Sequence, residues 1–183
     1  EAIYLSASNA GTGTVGAIIS PTYRMQSDTS LRTMVEILEA NDIPFEEIRS
    51  AWKIRLPWFG AEIIFRSGED ARKLKGLNLA WAILDEAALM DYSVFQVALS
   101  RVRDPKARRH GLAITTTPEG FNWVYDVFGK DDREDYEVFR AATSENVTLP
   151  DEFVASLEAD YDADQQRAYL LGEFVDLHRG QIY

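Results

Sequence analysis

Three short apolar runs, separated by stretches with helical periodicity, constrain the fold of this chain most strongly. They are VGAIIS at 15–20, LAWAILD at 79–85 and GLAITTT at 111–117. A strand with apolar residues at successive positions is buried on both faces, which is typical of a parallel sheet covered by helices. We therefore predict an α/β fold whose mostly parallel sheet is sandwiched by helices.

The stretches between these runs predict the other elements. Apolar residues recur at three and four positions after Asp28 or Thr29, which predicts a helix capped by one of them and ending near Asn41. WKIRLP at 52–57 and AEIIFRS at 61–67 alternate apolar and polar residues around Phe59-Gly60, so we predict a hairpin with one wet face. Further elements are helices at 87–102, 121–128 and 150–172, and a strand at 136–141.

Composition excludes several classes of function. At 183 residues the chain can bury one core of ordinary size, so one domain is expected. It has no cysteine and two distant histidines, which argues against disulfides, thiolate or zinc sites and a Ser-His-Asp triad. A formal net charge of −11 argues against wholesale nucleic-acid binding but permits a local basic patch. No apolar stretch is long enough to span a bilayer, and we predict a cytosolic protein without a membrane partner.

The glycines of AGTGTVG at 10–16 have the spacing of a dinucleotide-binding fingerprint. That fingerprint binds a pyrophosphate only when a strand precedes the glycines and a helix follows them. Here the order is reversed, because a helix precedes Gly11 and a strand follows Gly16. We predict that these glycines form a turn between helix and strand.

Asp85 and Glu86 are better candidates for nucleotide chemistry. They follow the buried strand at 79–85, so they lie at the carboxyl edge of the sheet, where α/β folds bind ligands. One carboxylate can hold Mg²⁺ while the next polarises an attacking water. The alternative is structural: Asp85 caps a helix and Glu86 complements its dipole.

Three hydroxyl residues end the next buried strand. Thr115, Thr116 and Thr117 precede Pro118, and at a strand end beside the carboxylates they can sense a terminal phosphate and pass its loss to the following loop. A threonine run by itself is simply good strand material. Combined with the preceding acidic strand end, it describes an ATPase core with a sensor strand.

In this combination the sequence resembles the ATPase domain of the large terminase subunit, the motor that packages DNA into the proheads of tailed phages. The resemblance covers nearly the whole chain. It rests on five segments in a shared order: VGAIISPTYRM, GAEIIFRS, LKGLNLAWAILDEAALM, ITTTPEGFNWVYDVF, and ATSENVTLPDEFVASLEADYDADQQRAYLLGEFVD. It implies a P-loop NTPase core of the ASCE/RecA-like type with an added β-hairpin.

The resemblance also implies roles for the site residues, with ATP and Mg²⁺ as cofactors. Asp85 positions Mg²⁺, Glu86 is the general base, and the threonines 115–117 form the coupling motif that links phosphate release to movement against DNA. The family's trans-acting arginine finger lies in a Leu-Arg-Gly, where this chain has LKG. Lys75 therefore takes that place, although lysine lacks arginine's bidentate fork, and Arg72 is the alternative.

Two parts of the family's machinery are missing from the 183 residues. No Gly-x-x-x-x-Gly-Lys-Ser/Thr loop is present, and the resemblance places it upstream of Glu1. The family's endonuclease domain is not among these residues either, and the resemblance places it after them. We therefore expect residues 1–172 to be part of a motor domain and residues 173–183 to begin a linker towards the nuclease. The chain alone is expected to hydrolyse little ATP.

One segment of the chain is strongly basic. RVRDPKARRH holds five cations that could contact DNA phosphates or the acidic face of a neighbouring subunit, and a solvated loop is the alternative. We call these residues the basic cluster: Arg101, Arg103, Lys106, Arg108 and Arg109.

The resemblance further implies a set of partners and a location. The partners are double-stranded DNA, the portal protein, the small terminase subunit and further copies in a ring. The location is the cytoplasm of the infected bacterium and, transiently, the portal vertex of the prohead. Two other functions stay open at this point: a helicase-type ATPase, and a non-catalytic assembly module in which the carboxylates only cap helices.

Overall fold

The chain is described by a computed structural model that covers residues 1–118, 120–130 and 134–176. Two compact units are present, Glu1–Thr115 and Thr116–Tyr183. The boundary falls inside the 1–172 range predicted as one motor domain, and that range stays a prediction. Residues 177–183 of the predicted linker lie outside the described residues.

The first unit is built on a six-stranded sheet whose strands are ordered β2-β3-β4-β1-β5-β6. Strands β4, β1, β5 and β6 are parallel, while β2 and β3 add antiparallel strands at one side. This arrangement confirms the mostly parallel sheet and the added hairpin. The strand bounds are β1 Val15–Ser20, β2 Glu46–Ile48, β3 Lys53–Leu56, β4 Ala61–Ser67, β5 Trp81–Leu84 and β6 Gly111–Ile114.

Burial of the three apolar runs differs along the sheet. The central strands β1 and β5 are almost entirely buried, as predicted. Strand β6 is only half-buried, because it is the last strand in the order of the described sheet and pairs there with β5 alone. The prediction of a third fully buried strand was therefore wrong.

Helices flank this sheet, and two of them begin at a different residue from the one predicted. The first unit contains α1 Ala2–Ser8, α2 Tyr23–Gln26, α3 Arg32–Ala40 and α4 Tyr92–Arg101. A π-helical turn, Ser27–Leu31, joins α2 to α3, so one helical segment runs from Tyr23 to Ala40. No helix in the described part of the chain is long and apolar enough to cross a membrane.

The caps explain both differences. The Thr22 side chain accepts a hydrogen bond from the Met25 backbone N–H at 3.1 Å, so the first helical segment begins well before Asp28. Asp91 caps α4 in the same way, accepting from the Ser93 N–H at 2.8 Å, and its hydrogen bonding with Ser93 holds the pKa of Asp91 below its usual value. Residues 87–89 form a separate 3₁₀ turn rather than the start of that helix.

The second unit consists of helical turns and irregular segments. A π-helical turn covers Tyr125–Gly129, close to the predicted helix, and α5 Asp151–Asp160, α6 Ala163–Gln165 and a π-helical turn Gln166–Leu170 form the predicted helical region. The predicted strand at 136–141 is wrong, since the segment is irregular. The apolar residues Val138 and Phe139 are exposed there, so they are not buried against a sheet.

Candidate functional site

Polar side chains stand at the carboxyl ends of all four parallel strands. They are Ser67 at the end of β4, Ser20 at the end of β1, Asp85 after β5 and Thr115 after β6. Because parallel strands end at the same side of a sheet, these residues form one edge, which we call the carboxyl edge. Ligands of open α/β sheets bind at this edge.

The Asp85 carboxylate is held from two sides. Ser30, in the π-helical turn, donates its hydroxyl hydrogen to Oδ2 at 2.6 Å. Thr115 donates to Oδ1 at 2.8 Å. The Asp85 backbone N–H also donates to the Ile19 carbonyl at 2.8 Å, which ties the residue to β1. The carboxylate is therefore fixed in orientation before any ligand binds.

Glu86 has an unusual backbone conformation. Its φ and ψ are 53° and 51°, in the left-handed region that a residue with a Cβ rarely adopts. The next peptide is fixed, because the Ala87 N–H donates to the Thr115 carbonyl at 3.0 Å. Such strain costs about 1–3 kcal/mol and is concentrated at functional sites.

The alternative prediction, that Asp85 caps the following helix, is not supported at α4. Asp91, and not Asp85, caps α4, because the Asp91 side chain accepts from the Ser93 N–H. The Asp85 carboxylate instead receives the hydroxyls of Ser30 and Thr115. Neither Asp85 nor Glu86 therefore begins α4.

The oxygen atoms at the carboxyl edge suit a hard cation that binds together with a phosphate ligand. Asp85, Ser30 and Thr115 offer carboxylate and hydroxyl oxygens, the atoms that Mg²⁺ prefers. Among the described residues, no group of three or more His, Cys, Asp or Glu side chains could cage a metal by itself. Mg²⁺ commonly binds through one or two carboxylates together with substrate phosphates and waters, so the residues fit this ion.

Ser30 and the residues behind it were not predicted from the sequence. Ser30 lies 55 positions from Asp85, and a serine in a helical period gives no signal of such a contact. The Ser20 and Ser30 hydroxyls are 3.0 Å apart, and the Gln26 side chain accepts from the Ser20 N–H at 3.2 Å. A polar residue such as Gln26 inside an apolar helical face was the available clue.

Of the three predicted threonines, Thr115 reaches the carboxylate. The Thr116 hydroxyl donates to the Thr117 carbonyl at 3.2 Å, and both residues belong to the second unit. The grouping of all three threonines as phosphate sensors stays a prediction.

Arg72 and Lys75 lie on the connection between β4 and β5, which packs against α4. The Arg72 guanidinium makes two bonds to the Asp70 carboxylate, at 3.0 and 3.1 Å, and holds the pKa of Asp70 below its usual value. The Lys75 carbonyl accepts from Arg101 at the end of α4. The Arg101 carbonyl in turn accepts from the Leu79 N–H, just before β5, so Lys75 lies towards the opposite end of β5 from Asp85.

Arg101 of the basic cluster ends α4, the other four residues follow in the connection to β6, and hydrogen bonds hold this connection at Arg108 and Arg109. Asn9, at the end of α1, is fully buried beside this loop. Its side chain donates to the Leu5 and Arg109 carbonyls and accepts from the Arg108 and Arg109 N–H groups, at 2.8–3.1 Å. The Arg109 guanidinium also lies over the Tyr4 ring, 5.2 Å from its centroid. Sequence reasoning gave no role to Asn9.

The glycine-rich segment forms the predicted turn between α1 and β1. Gly11 and Gly13 have φ of 77° and 66°, a conformation that glycine adopts readily. The Gly11 N–H donates to the Phe59 carbonyl at 2.8 Å, so the turn is attached to the hairpin rather than open for a phosphate. Gly16 has a different role, because it lies directly under the Trp81 ring.

Comparison with known proteins places this geometry in a family. A family model, described as the N-terminal part of the terminase large subunit of T4likevirus type, matches residues 17–183. The chain belongs to this terminase family. The matched residues include Asp85 and Glu86. The match confirms the resemblance to the terminase family and favours it over the helicase alternative.

Curated relatives are also terminases. The chain is 28% identical over 138 residues to the PBSX phage terminase large subunit of Bacillus subtilis (strain 168), covering 63% of this chain and 32% of that protein. It is 38% identical over 64 residues to the large subunit of Thermus phage G20c, covering 34% of this chain and 13% of that protein. The chain thus spans about a third or less of these relatives.

Solved structures share the fold. The large terminase of a thermophilic bacteriophage superposes with a TM-score of 0.78 at 18% identity, over 88% of this chain and 41% of that one. We refer to it as the thermophilic-phage terminase, and it has also been solved in complex with ADP and with ATP-gamma-S. The large terminase ATPase domain of Thermus phage P74-26 gives 0.64 at 23% identity, over 89% of this chain and 77% of that one.

Proposed function

We propose that this chain is part of the ATP-hydrolysing motor domain of a phage large terminase, which drives double-stranded DNA into a prohead. The observation that carries the proposal is the pair Asp85 and Glu86. The first is an oriented carboxylate, and the second is a carboxylate on a strained, fixed backbone. Membership of the terminase family and the nucleotide complexes of the thermophilic-phage terminase support it.

Each carboxylate has a separate task in this proposal. Asp85 holds Mg²⁺, directly or through its water, with its two oxygens oriented by Ser30 and Thr115. Glu86 accepts the proton of the attacking water, because an ionised carboxylate next to the metal-binding residue can act as a general base. Mg²⁺ bound with ATP neutralises negative charge that develops on the phosphates.

The remaining predicted residues act on a neighbouring subunit or couple hydrolysis to movement. Lys75 or Arg72 supplies a positive charge to the nucleotide of a neighbouring subunit, and both side chains are exposed, as a role in trans requires. Lys75 is the better placed of the two, since the Arg72 guanidinium is engaged by Asp70 and would have to leave it. Thr115, Thr116 and Thr117 couple phosphate release to movement.

The basic cluster and the missing phosphate loop complete the proposal. The cluster contacts DNA phosphates or an acidic face of the next subunit, and Asn9 holds its loop in place. Self-association into a ring, the portal protein and the small terminase subunit are the proposed partners, in the cytoplasm of the infected host and at the portal vertex. Without a Gly-rich phosphate loop, the 183-residue chain alone hydrolyses little ATP.

The decisive experiment is Glu86→Gln in the full-length protein. The amide keeps the size of the side chain but cannot accept the proton, so ATP hydrolysis should fall by at least about 100-fold. Binding of a fluorescent ATP analogue should change little. Glu39→Gln on the exposed side of α3 is the matched control and should hydrolyse ATP like the parent.

Two results would contradict the proposal. Undiminished hydrolysis by Glu86→Gln would remove the general-base role. Absence of ATP binding and hydrolysis in the parent protein would favour the non-catalytic assembly module, in which the carboxyl edge only binds partners.

A further inference from the structure

The π-helical turn Ser27–Leu31 brings one hydroxyl to the carboxyl edge. Ser27, Asp28 and Thr29 are exposed, whereas Ser30 is half-buried and bonded to Asp85. A π turn inserts one residue into an α-helix and shifts the side chains that follow it, and such turns are frequent at functional sites. Here the turn falls at the point where the helical segment passes the end of β5.

We propose that Ser30 is a positioning residue for the metal-binding carboxylate: it fixes Oδ2 of Asp85 and thereby sets the affinity for Mg²⁺ bound with nucleotide. The proposal rests on the proposed function, because it requires that Asp85 hold this ion. Ser30 touches neither the nucleotide nor the reacting atoms in this role.

The direction of the hydrogen bonds supports the proposal. An ionised carboxylate only accepts, so the single hydroxyl hydrogen of Ser30 is committed to Asp85. Ser30 must therefore accept from Ser20, whose hydroxyl is 3.0 Å away. The result is a one-way chain from Ser20 through Ser30 to Asp85, and hydrogen bonds to an ionised group are stronger than neutral ones.

The origin of this chain is buried and anchored. Ser20 is 1% exposed at the end of β1, and its carbonyl accepts from the Gly68 N–H at 2.8 Å. Gln26 is fully buried, and its Oε1 accepts from the Ser20 N–H. The serine that orients Ser30 is thus fixed by the sheet on one side and by the helical segment on the other.

Loss of the Ser30 hydroxyl has a specific consequence. Asp85 keeps the Thr115 bond at Oδ1 but loses the donor at Oδ2, and torsion about a carboxylate is otherwise soft. The second oxygen then no longer has a fixed direction. Partners of this kind behind a metal ligand change metal affinity by about 10–100-fold.

The test compares Ser30→Ala with Ser30→Thr and with Ser27→Ala, in the full-length protein. Ser27→Ala is the matched control, because it removes an exposed hydroxyl from the same π-helical turn. The primary measurement is the Mg²⁺ concentration that gives half-maximal equilibrium binding of a fluorescent ADP analogue. The Mg²⁺ dependence of ATP hydrolysis and the thermal unfolding midpoint without Mg²⁺ are measured in parallel.

We expect Ser30→Ala to raise the half-maximal Mg²⁺ concentration by about 10-fold or more, with near-normal binding at saturating Mg²⁺. Ser30→Thr keeps the donor and should restore the parent value, and Ser27→Ala should match the parent. A merely structural role would lower the unfolding midpoint of Ser30→Ala and leave its Mg²⁺ dependence unchanged, which would overturn the proposal.

Two further outcomes separate the hypotheses. If Ser30→Ala does not fold, Ser20→Ala replaces it, since losing the donor to Ser30 should raise the Mg²⁺ requirement, and an unchanged requirement would overturn the proposal. If the parent protein itself binds no nucleotide with Mg²⁺, the proposed function fails and takes this inference with it. If the parent binds normally and Ser30→Ala equals Ser27→Ala, only the positioning role fails.

Discussion

Replacing Gly16 with alanine tests how β1 and β5 are held together beneath the carboxyl edge. The two strands pair with Gly16 opposite Trp81, and a Cβ added at Gly16 would lie 1.9 Å from Trp81 Cε2. Carbon atoms in contact are normally about 3.5–4.0 Å apart, so strand or indole must move by roughly 1 Å or more. Trp81 is 1% exposed and closely surrounded, so neither movement is easy.

The expected cost is at the upper end of the range for overpacked cores, about 3 kcal/mol. For a protein of this size, that free-energy change corresponds to a thermal unfolding midpoint lowered by roughly 6–12 °C. The assay is urea unfolding followed by far-ultraviolet circular dichroism. Gly76→Ala is the matched control, because an added Cβ there meets nothing within 4 Å and φ is not in the left-handed region. That variant should keep or slightly raise stability.

A double-mutant cycle identifies the clash as the cause. Trp81→Leu removes the ring and loses stability through a cavity, but it opens space for the new methyl group. Gly16→Ala combined with Trp81→Leu should therefore be more stable than the sum of the single effects predicts, by about 1 kcal/mol or more. Effects that add to within about 0.5 kcal/mol would refute the reasoning, because uncoupled sites behave that way.

Three further predictions concern single side chains. Glu86→Gly relieves the left-handed strain, so it should raise the free energy of unfolding by about 1 kcal/mol while abolishing ATP hydrolysis in the full-length protein. Asn9→Ala removes the side-chain partners of part-buried backbone groups at Arg108 and Arg109 and should cost about 1–2 kcal/mol in urea unfolding. The hydrogen bond from Arg55, above all, lowers the pKa of Glu62 below its ordinary 4.5, with Lys53 contributing further. The parent protein should therefore have a higher free energy of unfolding than Glu62→Gln above pH 4.5, and this difference should be lost as pH falls through the lower pKa of the folded state. Urea unfolding of both proteins across this pH range measures the difference.

Much of the sheet and part of the site could be predicted because their signals are local. Strands β1 and β5 are continuous apolar runs, and both are central and buried. Asp85 follows such a run directly, so its position at the carboxyl edge follows from the topology of parallel strands. Thr115 follows β6 in the same way, and its bond to Asp85 is what neighbouring parallel strands would place there.

The missed features depend on tertiary contacts that no local pattern encodes. Ser30 reaches Asp85 through a π turn, and a period of 3.6 residues cannot reveal where one residue is inserted. Asn9 contacts Arg108 and Arg109 about a hundred positions away. The expected strand at 136–141 was wrong for a different reason, because its residues favour a strand locally while Val138 and Phe139 are exposed and pack against no sheet.

Thr115, at the end of β6, bonds to the residue before Glu86 and to the residue after it. Its hydroxyl donates to Asp85, and its carbonyl accepts from Ala87, so it holds the residues on either side of Glu86. The bond from the Ala87 N–H fixes the peptide that follows Glu86, and the hydroxyl bond holds the neighbouring Asp85 side chain, so both restrain the segment that contains the left-handed glutamate. Since β6 has a neighbour on only one side within the described sheet, its end is the least restrained of the strands that meet here. A displacement of this strand end would therefore alter the bonds that Thr115 makes to Asp85 and to Ala87 together.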